Sequence, residues 1–284
     1  MKRIAIVTDS AANVPPEIAE EYGISIIPLT VHWNGDTYLD GVTLDTATFY
    51  KWLQERKEFP TTSQPSVGAF IEFFRATAER TQTDTILGIF LTSKLSGTFS
   101  SAMQAKAELP ELRIEIVDSQ FVSMGIGFQV LAAARAAQEG TPLEAVVERV
   151  TQVRGRTELF IALETLDYLH RGGRIGNAAH MLGTMLSFKP LLNMEDGIIK
   201  AMGKTRSRTK SLQKMVEITE KRLGGRQPEE LAIVQIGAEE DAAQLGEWLT
   251  ARVKPKRLYT GVLCPALGVH GGPGAIGMAF YSEP

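Results

Sequence analysis

Cysteine is nearly absent from this chain of 284 residues, which contains Cys264 alone. A single cysteine excludes an intrachain disulfide and a Cys-rich metal site, and it is typical of a reducing, cytoplasmic location. The chain has four histidines, His32, His170, His180 and His270. None of them stands in the spacing of a metal-binding motif, so we expect no metal site.

Long apolar runs and a strong net charge are lacking too. No apolar stretch approaches the ~20 residues of a membrane helix, and the apolar residues near the N-terminus are too few for a signal peptide. The net charge at pH 7 is −3, which predicts no general attraction to nucleic acid or to an anionic membrane. The 44% hydrophobic content suffices for a sizeable core in one large domain or two ordinary ones.

One nucleotide-binding motif and one hydrolase motif are also missing. The chain has neither a G-x-x-x-x-G-K-[ST] phosphate loop nor a G-x-S-x-G nucleophile elbow. Residues 272–277 match the dinucleotide expression G-x-G-x-x-G, but only seven residues follow Gly277, and they alternate like a strand. That motif requires a following helix, so we do not interpret it as a nucleotide site.

The first half of the chain alternates apolar strand-like runs with helical segments. Strands are predicted at residues 4–7, 24–31, 85–91 and 113–117, and the segment 61–66 is interpreted as a loop. Helices are predicted at residues 17–22, 49–56, 67–79, 102–109, 126–139 and 143–154. This alternation predicts an α/β/α domain with a parallel sheet over residues 1–155.

The pattern changes in the second half. Strands are predicted at residues 159–163, 191–194, 198–201, 231–236, 258–262 and 275–281, the second and third of them joined as a hairpin at Asp196-Gly197. Helical segments are predicted at residues 166–170, 178–188, 211–223 and 241–252, whereas residues 268–274 are interpreted as a Gly-rich loop. We therefore expect an α+β domain with a mixed sheet over residues 156–284.

A hydroxyl-rich turn follows the strand at residues 85–91 and contains Ser96, Gly97 and Thr98. Hydroxyls and free N–H groups at a helix start favour an anion at the carboxyl edge of a parallel sheet. Since Lys94 is the only basic residue of the turn, the anion resembles a carboxylate more than a triphosphate. A simple capped helix start explains the same residues equally well.

Other candidate residues also have two interpretations. Ser96, His270 and a sheet-edge acid would together form the triad of an acyl esterase or thioesterase. Arg174 follows a helix end at Gly172-Gly173, where it either complements the helix dipole or pairs with an anion. The four cations within residues 204–210 form either a solvated face or a docking patch for an acidic partner.

Taken together and in order, these motifs resemble one known family over nearly the whole chain. They are Thr8-Asp9-Ser10, Thr62-Ser63-Gln64-Pro65-Ser66, Leu95-Ser96-Gly97-Thr98, Asp118-Ser119, residues 166–175 with Gly172-Gly173-Arg174, Lys189-Pro190 and His270-Gly271-Gly272-Pro273-Gly274. The chain resembles the DegV family of bacterial fatty-acid-binding proteins. Each motif is weak by itself, but their combination is specific.

The resemblance implies a two-domain, non-enzymatic protein that holds one long-chain fatty acid between its domains and needs no other cofactor. Family members serve as the lipid-carrying subunit of fatty acid kinase. A separate ATP-binding protein phosphorylates the carboxylate, and the acyl phosphate then passes toward phospholipid synthesis. The implied partners are therefore a fatty acid and a kinase, without nucleic acid and without an integral membrane segment.

Residue roles follow from the same resemblance. Thr62, Ser96, Arg174 and His270 would bind the carboxylate, with Ser63, Gly97 and Thr98 as supporting residues. Arg206 and Arg208 would belong to a surface that meets the kinase. The resemblance implies neither a catalytic residue nor a metal ligand.

Overall fold

The computed structural model describes residues 3–56 and 58–283, without the side chains of residues 183–187. In this part of the chain the strands are β1 (Ala5–Asp9), β2 (Ser25–Ile27), β3 (Thr30–Trp33), β4 (Asp36–Leu39), β5 (Thr61–Ser63), β6 (Thr85–Phe90), β7 (Arg113–Asp118), β8 (Glu158–Ala162), β9 (Lys189–Glu195), β10 (Ile198–Thr205), β11 (Glu230–Gln235), β12 (Arg257–Val262) and β13 (Ile276–Tyr281). The α-helices are α1 (Pro16–Glu21), α2 (Thr46–Glu55), α3 (Val67–Thr81), α4 (Thr98–Ala107), α5 (Met124–Gln138), α6 (Leu143–Arg156), α7 (Asp167–Arg171), α8 (Arg208–Leu223), α9 (Glu239–Val253) and α10 (Pro265–Gly271). Two 3₁₀ segments cover Ser10–Ala12 and Gly176–Ser187.

The described residues cluster in two units. The first contains the residues up to Leu44 and Pro60–Gly155, and the second contains Asp45–Phe59 and the residues from Arg156 on. This division differs from the predicted limits of 1–155 and 156–284 at residues 45–59. Helix α2 belongs to the second unit because the Tyr50 hydroxyl donates to the Leu263 carbonyl at 2.7 Å.

A four-stranded parallel sheet of order β2-β1-β6-β7 forms the core of the first unit. Every residue of β1 and β6 is buried, as expected for strands covered on both faces. Phe70 and Phe74 of α3 and Ala102 of α4 pack in a cluster with Val7 and Phe90 of the sheet. The α/β prediction for this half is confirmed, and the carboxyl ends of the four strands share one edge.

The first unit also holds a three-stranded antiparallel sheet, β4-β3-β5, that was not predicted. The single strand predicted at 24–31 is wrong: β2 and β3 are separate strands on either side of Pro28, which has no N–H for a sheet ladder. The segment 61–66 is not all loop, since Thr62 of β5 pairs with Val31 of β3. A three-residue strand has too little alternation to be recognised in sequence.

A six-stranded mixed sheet of order β10-β9-β8-β13-β11-β12 forms the second unit, as predicted for this half. Its β11–β12 pair is parallel and the other neighbours are antiparallel. Leu212 and Met215 of α8 and Leu245 of α9 pack with Phe160 and Ile233 of the sheet. The predicted hairpin is confirmed: Asp196 and Gly197 have φ of 53° and 78°, which a tight two-residue turn requires.

One prediction in the second unit is corrected. Residues 265–271 form helix α10 instead of part of a loop, because Pro265 occupies a first-turn position and Gly272, at φ 73°, ends the helix. His270 therefore lies in the last turn of a helix. The helical segment predicted at residues 178–188 is confirmed as a 3₁₀ helix at Gly176–Ser187, and the side chains of residues 183–187 lie outside the described part.

Candidate functional site

The Ser96 turn lies at the start of α4 in the first unit, where a parallel strand leads into a helix. The Ser96 and Thr98 hydroxyls are 2.9 Å apart, and the Thr98 backbone N–H donates to Ser96 Oγ at 3.3 Å. Thr98 is buried and Ser96 is half-buried. These contacts hold the Ser96 hydroxyl at the helix start, where it accepts a backbone N–H as a capping serine does.

Strand β5 brings Thr62 and Ser63 to the same unit. The Ser63 hydroxyl lies 2.8 Å from Nε2 of His32, and Nδ1 of this histidine lies 3.1 Å from the Thr37 hydroxyl. Because successive side chains of a strand point to opposite faces, Thr62 faces away from this contact. The Ser63 contact thus attaches β5 to β3, and Thr62, which is half-buried, lies on the other face of the strand.

Gln64 lies between these two segments. Its side chain packs on Gly97, where a Cβ atom would lie 2.8 Å from Nε2 and 3.0 Å from Cδ of Gln64. The segment that leaves β5 therefore contacts the Ser96 turn. We call Thr62, Ser63, Ser96, Gly97 and Thr98 the hydroxyl half-site.

Arg174 and His270 come together in the second unit. A Cβ on Gly172 would lie only 2.2 Å from Nδ1 of His270, so the imidazole packs directly on the Gly172 backbone. The Arg174 guanidinium donates from Nη1 to the Gly172 carbonyl at 2.6 Å. We call Gly172, Arg174 and His270 the basic half-site.

Burial governs the charge of His270. Burial, followed by the positive charge of Arg174, lowers the pKa of His270 from 6.5 to about 4. At neutral pH the imidazole is therefore uncharged, with one nitrogen that donates and one that accepts. In this half-site Arg174 supplies the cation, and His270 offers a neutral N–H donor.

Close packing between α7 and α10 supports the basic half-site. A Cβ on Gly272 would lie 2.3 Å from the Tyr168 ring, so the end of α10 lies directly against α7. The rings of Phe59 and Tyr168 are 4.9 Å apart, and the Arg171 guanidinium lies 4.3 Å from the centre of the Phe59 ring. The sequence showed the glycines of this region but not the aromatic residues that they accommodate.

The structure separates Arg206 from Arg208, which the sequence analysis treated alike. Arg206 is exposed, whereas only 16% of the Arg208 side chain is accessible. Arg208 donates from Nε to Asp241 at 2.8 Å and from Nη2 to the Gly274 carbonyl at 2.6 Å. Its guanidinium is therefore engaged inside the second unit.

Asp9 is a buried acid with a raised pKa, and the sequence did not reveal the surroundings that cause this. Fully buried at the carboxyl end of β1, it accepts the backbone N–H groups of Leu91 at 2.8 Å and Ala11 at 2.9 Å. Burial raises its pKa to about 7, the two N–H groups oppose this effect, and the Asp40 carboxylate adds to it. Asp9 therefore orders the strand ends of the first unit.

Two other kinds of site have no counterpart among the described residues. No group of three or more His, Cys, Asp or Glu side chains within residues 3–56 and 58–283 is arranged to hold a metal ion. In the same residues, no helix has both the length and the apolar character that crossing a membrane demands.

Comparison with known proteins covers essentially the whole chain. Residues 3–283 match the family model described as "Uncharacterised protein, DegV family". A DegV domain-containing protein of Caldanaerobacter subterraneus, TTE1491, is 35% identical over 283 residues, which is 100% of both chains.

Solved structures agree. A DegV family protein from Thermus thermophilus, described for its fatty acid binding, is 33% identical with a TM-score of 0.93, covering 99% of this chain and 100% of that one. A protein from Eubacterium ventriosum, described as binding stearic acid, is 25% identical with a TM-score of 0.88, covering 99% of this chain and 98% of that one.

Proposed function

Since the chain belongs to the DegV family, we propose that it binds one long-chain fatty acid, with the carboxylate held jointly by the hydroxyl and the basic half-sites. In this proposal Thr62 and Ser96 donate from the first unit, and Arg174 and His270 donate from the second. The acyl chain occupies an apolar tunnel between the two units. The observation that carries the proposal is the fatty acid binding described for the Thermus thermophilus protein at 33% identity.

The chemistry of the half-sites supports a carboxylate ligand. Two hydroxyls and a neutral imidazole donate hydrogen bonds without adding charge, and one guanidinium matches the single negative charge of a fatty acid. A neutral His270, whose pKa is about 4, fits this arrangement because Arg174 already balances the carboxylate. A phosphate ester with two charges would leave part of its charge uncompensated.

The energetics assign different tasks to the two ends of the ligand. Burying about 14 methylene groups at ~0.8 kcal/mol each yields on the order of 11 kcal/mol before the costs of binding. The acyl chain then provides most of the affinity. The head-group donors fix its register and prevent an unpaired buried charge.

In the proposed system this protein is the non-catalytic, cytoplasmic carrier, and a separate ATP-dependent fatty acid kinase phosphorylates the presented carboxylate. The acyl phosphate then serves phospholipid synthesis. We assign partner docking to Arg206, which is exposed, and not to Arg208, whose guanidinium is engaged with Asp241 and Gly274.

Mass spectrometry of the recombinant protein tests the lipid. The denatured protein should release one acyl chain of fatty acid mass, and delipidated protein should take up one equivalent of palmitate or stearate. Ser96→Ala should retain the fold but release the fatty acid faster, with Ser93→Ala as the matched control on an exposed serine of the same loop. A clean spectrum together with no uptake by delipidated protein would contradict the proposal.

The lowered pKa of His270 disfavours the esterase or thioesterase alternative. In a Ser-His-acid triad the carboxylate stabilises the imidazolium and raises the pKa of the histidine, whereas the pKa of His270 is lowered. Labelling of Ser96 by a fluorophosphonate would revive this alternative.

A further inference from the structure

Arg208 connects three parts of the second unit that are distant in sequence. From the start of α8, its guanidinium reaches Asp241 of α9 at 2.8 Å and the Gly274 carbonyl at 2.6 Å. Its remaining nitrogen, Nη1, is buried and lies 3.8 Å from Oε1 of Glu164. Glu164 in turn pairs with Lys189 at 2.5 Å. We call Arg208, Asp241, Glu164 and Lys189 the anchor network.

The anchor network holds the segment that leaves α10. Gly274 is four residues after His270, and its N–H donates to the Ile236 carbonyl at 2.7 Å while its carbonyl accepts from Arg208. Gly274 has φ of 79°, and a Cβ there would lie 2.5 Å from the Glu164 side chain. Both polar groups of this residue are thus fixed, and the Glu164 side chain covers its Cα.

From these contacts we propose that Arg208 is a positioning residue for His270: by clamping Gly274 to Asp241 and Glu164, it fixes the end of α10 and hence the imidazole that donates to the fatty acid carboxylate. The proposal rests on the proposed function for the role of His270. It assigns to Arg208 a task in ligand binding, where the family resemblance implied partner docking.

The geometry requires a guanidinium. Two different nitrogens of Arg208 are needed at once: Nε donates to Asp241 and Nη2 donates to the Gly274 carbonyl. The rigid planar guanidinium of arginine provides both donors. The ammonium of a lysine keeps the charge but is a single point on a flexible chain. Arg208→Lys should therefore lose the Gly274 contact while keeping attraction to Asp241.

The test uses the imidazole of His270 as its own reporter. Proton–carbon NMR spectra of the four histidine rings are recorded for the delipidated wild type, Arg208→Lys and Arg208→Gln. Arg252→Gln is the matched control, because Arg252 is an exposed arginine of the same unit that pairs with Glu220. The His270 signals, assigned by their loss in His270→Gln, should move in both Arg208 variants and not in the control.

Fatty acid release gives the second readout. Both Arg208 variants should release palmitate roughly 5- to 30-fold faster than wild type, and Arg252→Gln should match the wild type. If an Arg208 variant does not fold, Asp241→Asn replaces it, since this change removes one partner of the clamp and should move the same ring signals.

His270 signals that stay at the wild-type positions in folded Arg208 variants, or in Asp241→Asn, would overturn the proposal. If the wild type binds no fatty acid, the proposed function fails, but the ring signals still decide whether Arg208 positions His270. Equal movement of the signals in Arg252→Gln would also overturn it, since the effect would then belong to any arginine of the unit.

Discussion

Gly172→Ala is the sharpest single change for testing the basic half-site. Gly172 has φ of −73° and ψ of −8°, an ordinary right-handed conformation, so alanine introduces no backbone strain. The added methyl would lie 2.2 Å from Nδ1 of His270, against at least 3.4 Å for ordinary van der Waals contact. The imidazole must therefore move by about 1.2 Å, the difference between these two distances.

The displacement sets the expected magnitudes. A hydrogen bond of ordinary length does not survive a shift of this size, and a bond to a charged group is worth roughly 1.5–3 kcal/mol. The fatty acid dissociation constant should therefore rise about 10- to 150-fold. The free energy of unfolding should fall by about 0 to 2.6 kcal/mol, because overpacking costs about 1–3 kcal/mol and the reduced flexibility of the unfolded chain returns about 0.4–1 kcal/mol.

The assay is competitive displacement of a fluorescent fatty acid from delipidated protein, together with urea unfolding. Gly261→Ala in the second unit is the matched control, since a Cβ at that position meets nothing within 4 Å. It should bind like wild type. Wild-type affinity in Gly172→Ala would refute the contact between His270 and the carboxylate.

Other changes address the remaining groups. Ser96→Ala should weaken binding of the head group by roughly 1–3 kcal/mol in calorimetric titration without unfolding the chain, and unchanged affinity would remove Ser96 from the site. Because the pKa of His270 is about 4 in the fold, its contribution to stability is complete above pH 6.5 and lost as the pH falls toward 4; urea unfolding of His270→Gln should lack about 3 kcal/mol of this dependence. Asp9 has the opposite effect on the pH dependence of stability, because its pKa is raised from 3.8 to about 7. Its contribution to the free energy of unfolding is complete below pH 3.8, and about 4 kcal/mol of it is lost as the pH rises through 7. This loss should be absent in Asp9→Asn. Arg206→Glu should retain the fatty acid and reduce acyl phosphate formation with the kinase, and an emptied lipid site would show that Arg206 does not act in docking.

Local sequence patterns were sufficient to predict elements whose structure depends only on residues within the same segment. The buried strands β1 and β6 are continuous apolar runs, and the hairpin between β9 and β10 has an Asp196-Gly197 turn that favours positive φ. The order of the motifs along the chain also identifies the family without reference to the fold. These features depend on neighbours within a few residues.

The sequence predicted which residues are candidates for the site, but not the elements and contacts that arrange them. Strand β5 forms through its pairing with β3, in which Thr62 lies opposite Val31. Helix α10 stands where a loop was expected, because Pro265 begins a helix that ends at Gly272. Arg208 was read with Arg206 as a cation of one exposed run, and only its contacts with Asp241 and Gly274 distinguish the two.

The sequence alone determined the family and supplied the candidate site residues, a set of hydroxyls, an arginine and a histidine in a recognisable order. Tertiary structure decided their environment, since the pKa values of Asp9 and His270 and the packing of His270 on Gly172 arise from groups distant in the chain. The physical reason is that burial and contact are properties of the folded neighbourhood. A residue's identity supplies the donor or the charge, and its surroundings set the protonation and the direction of that group.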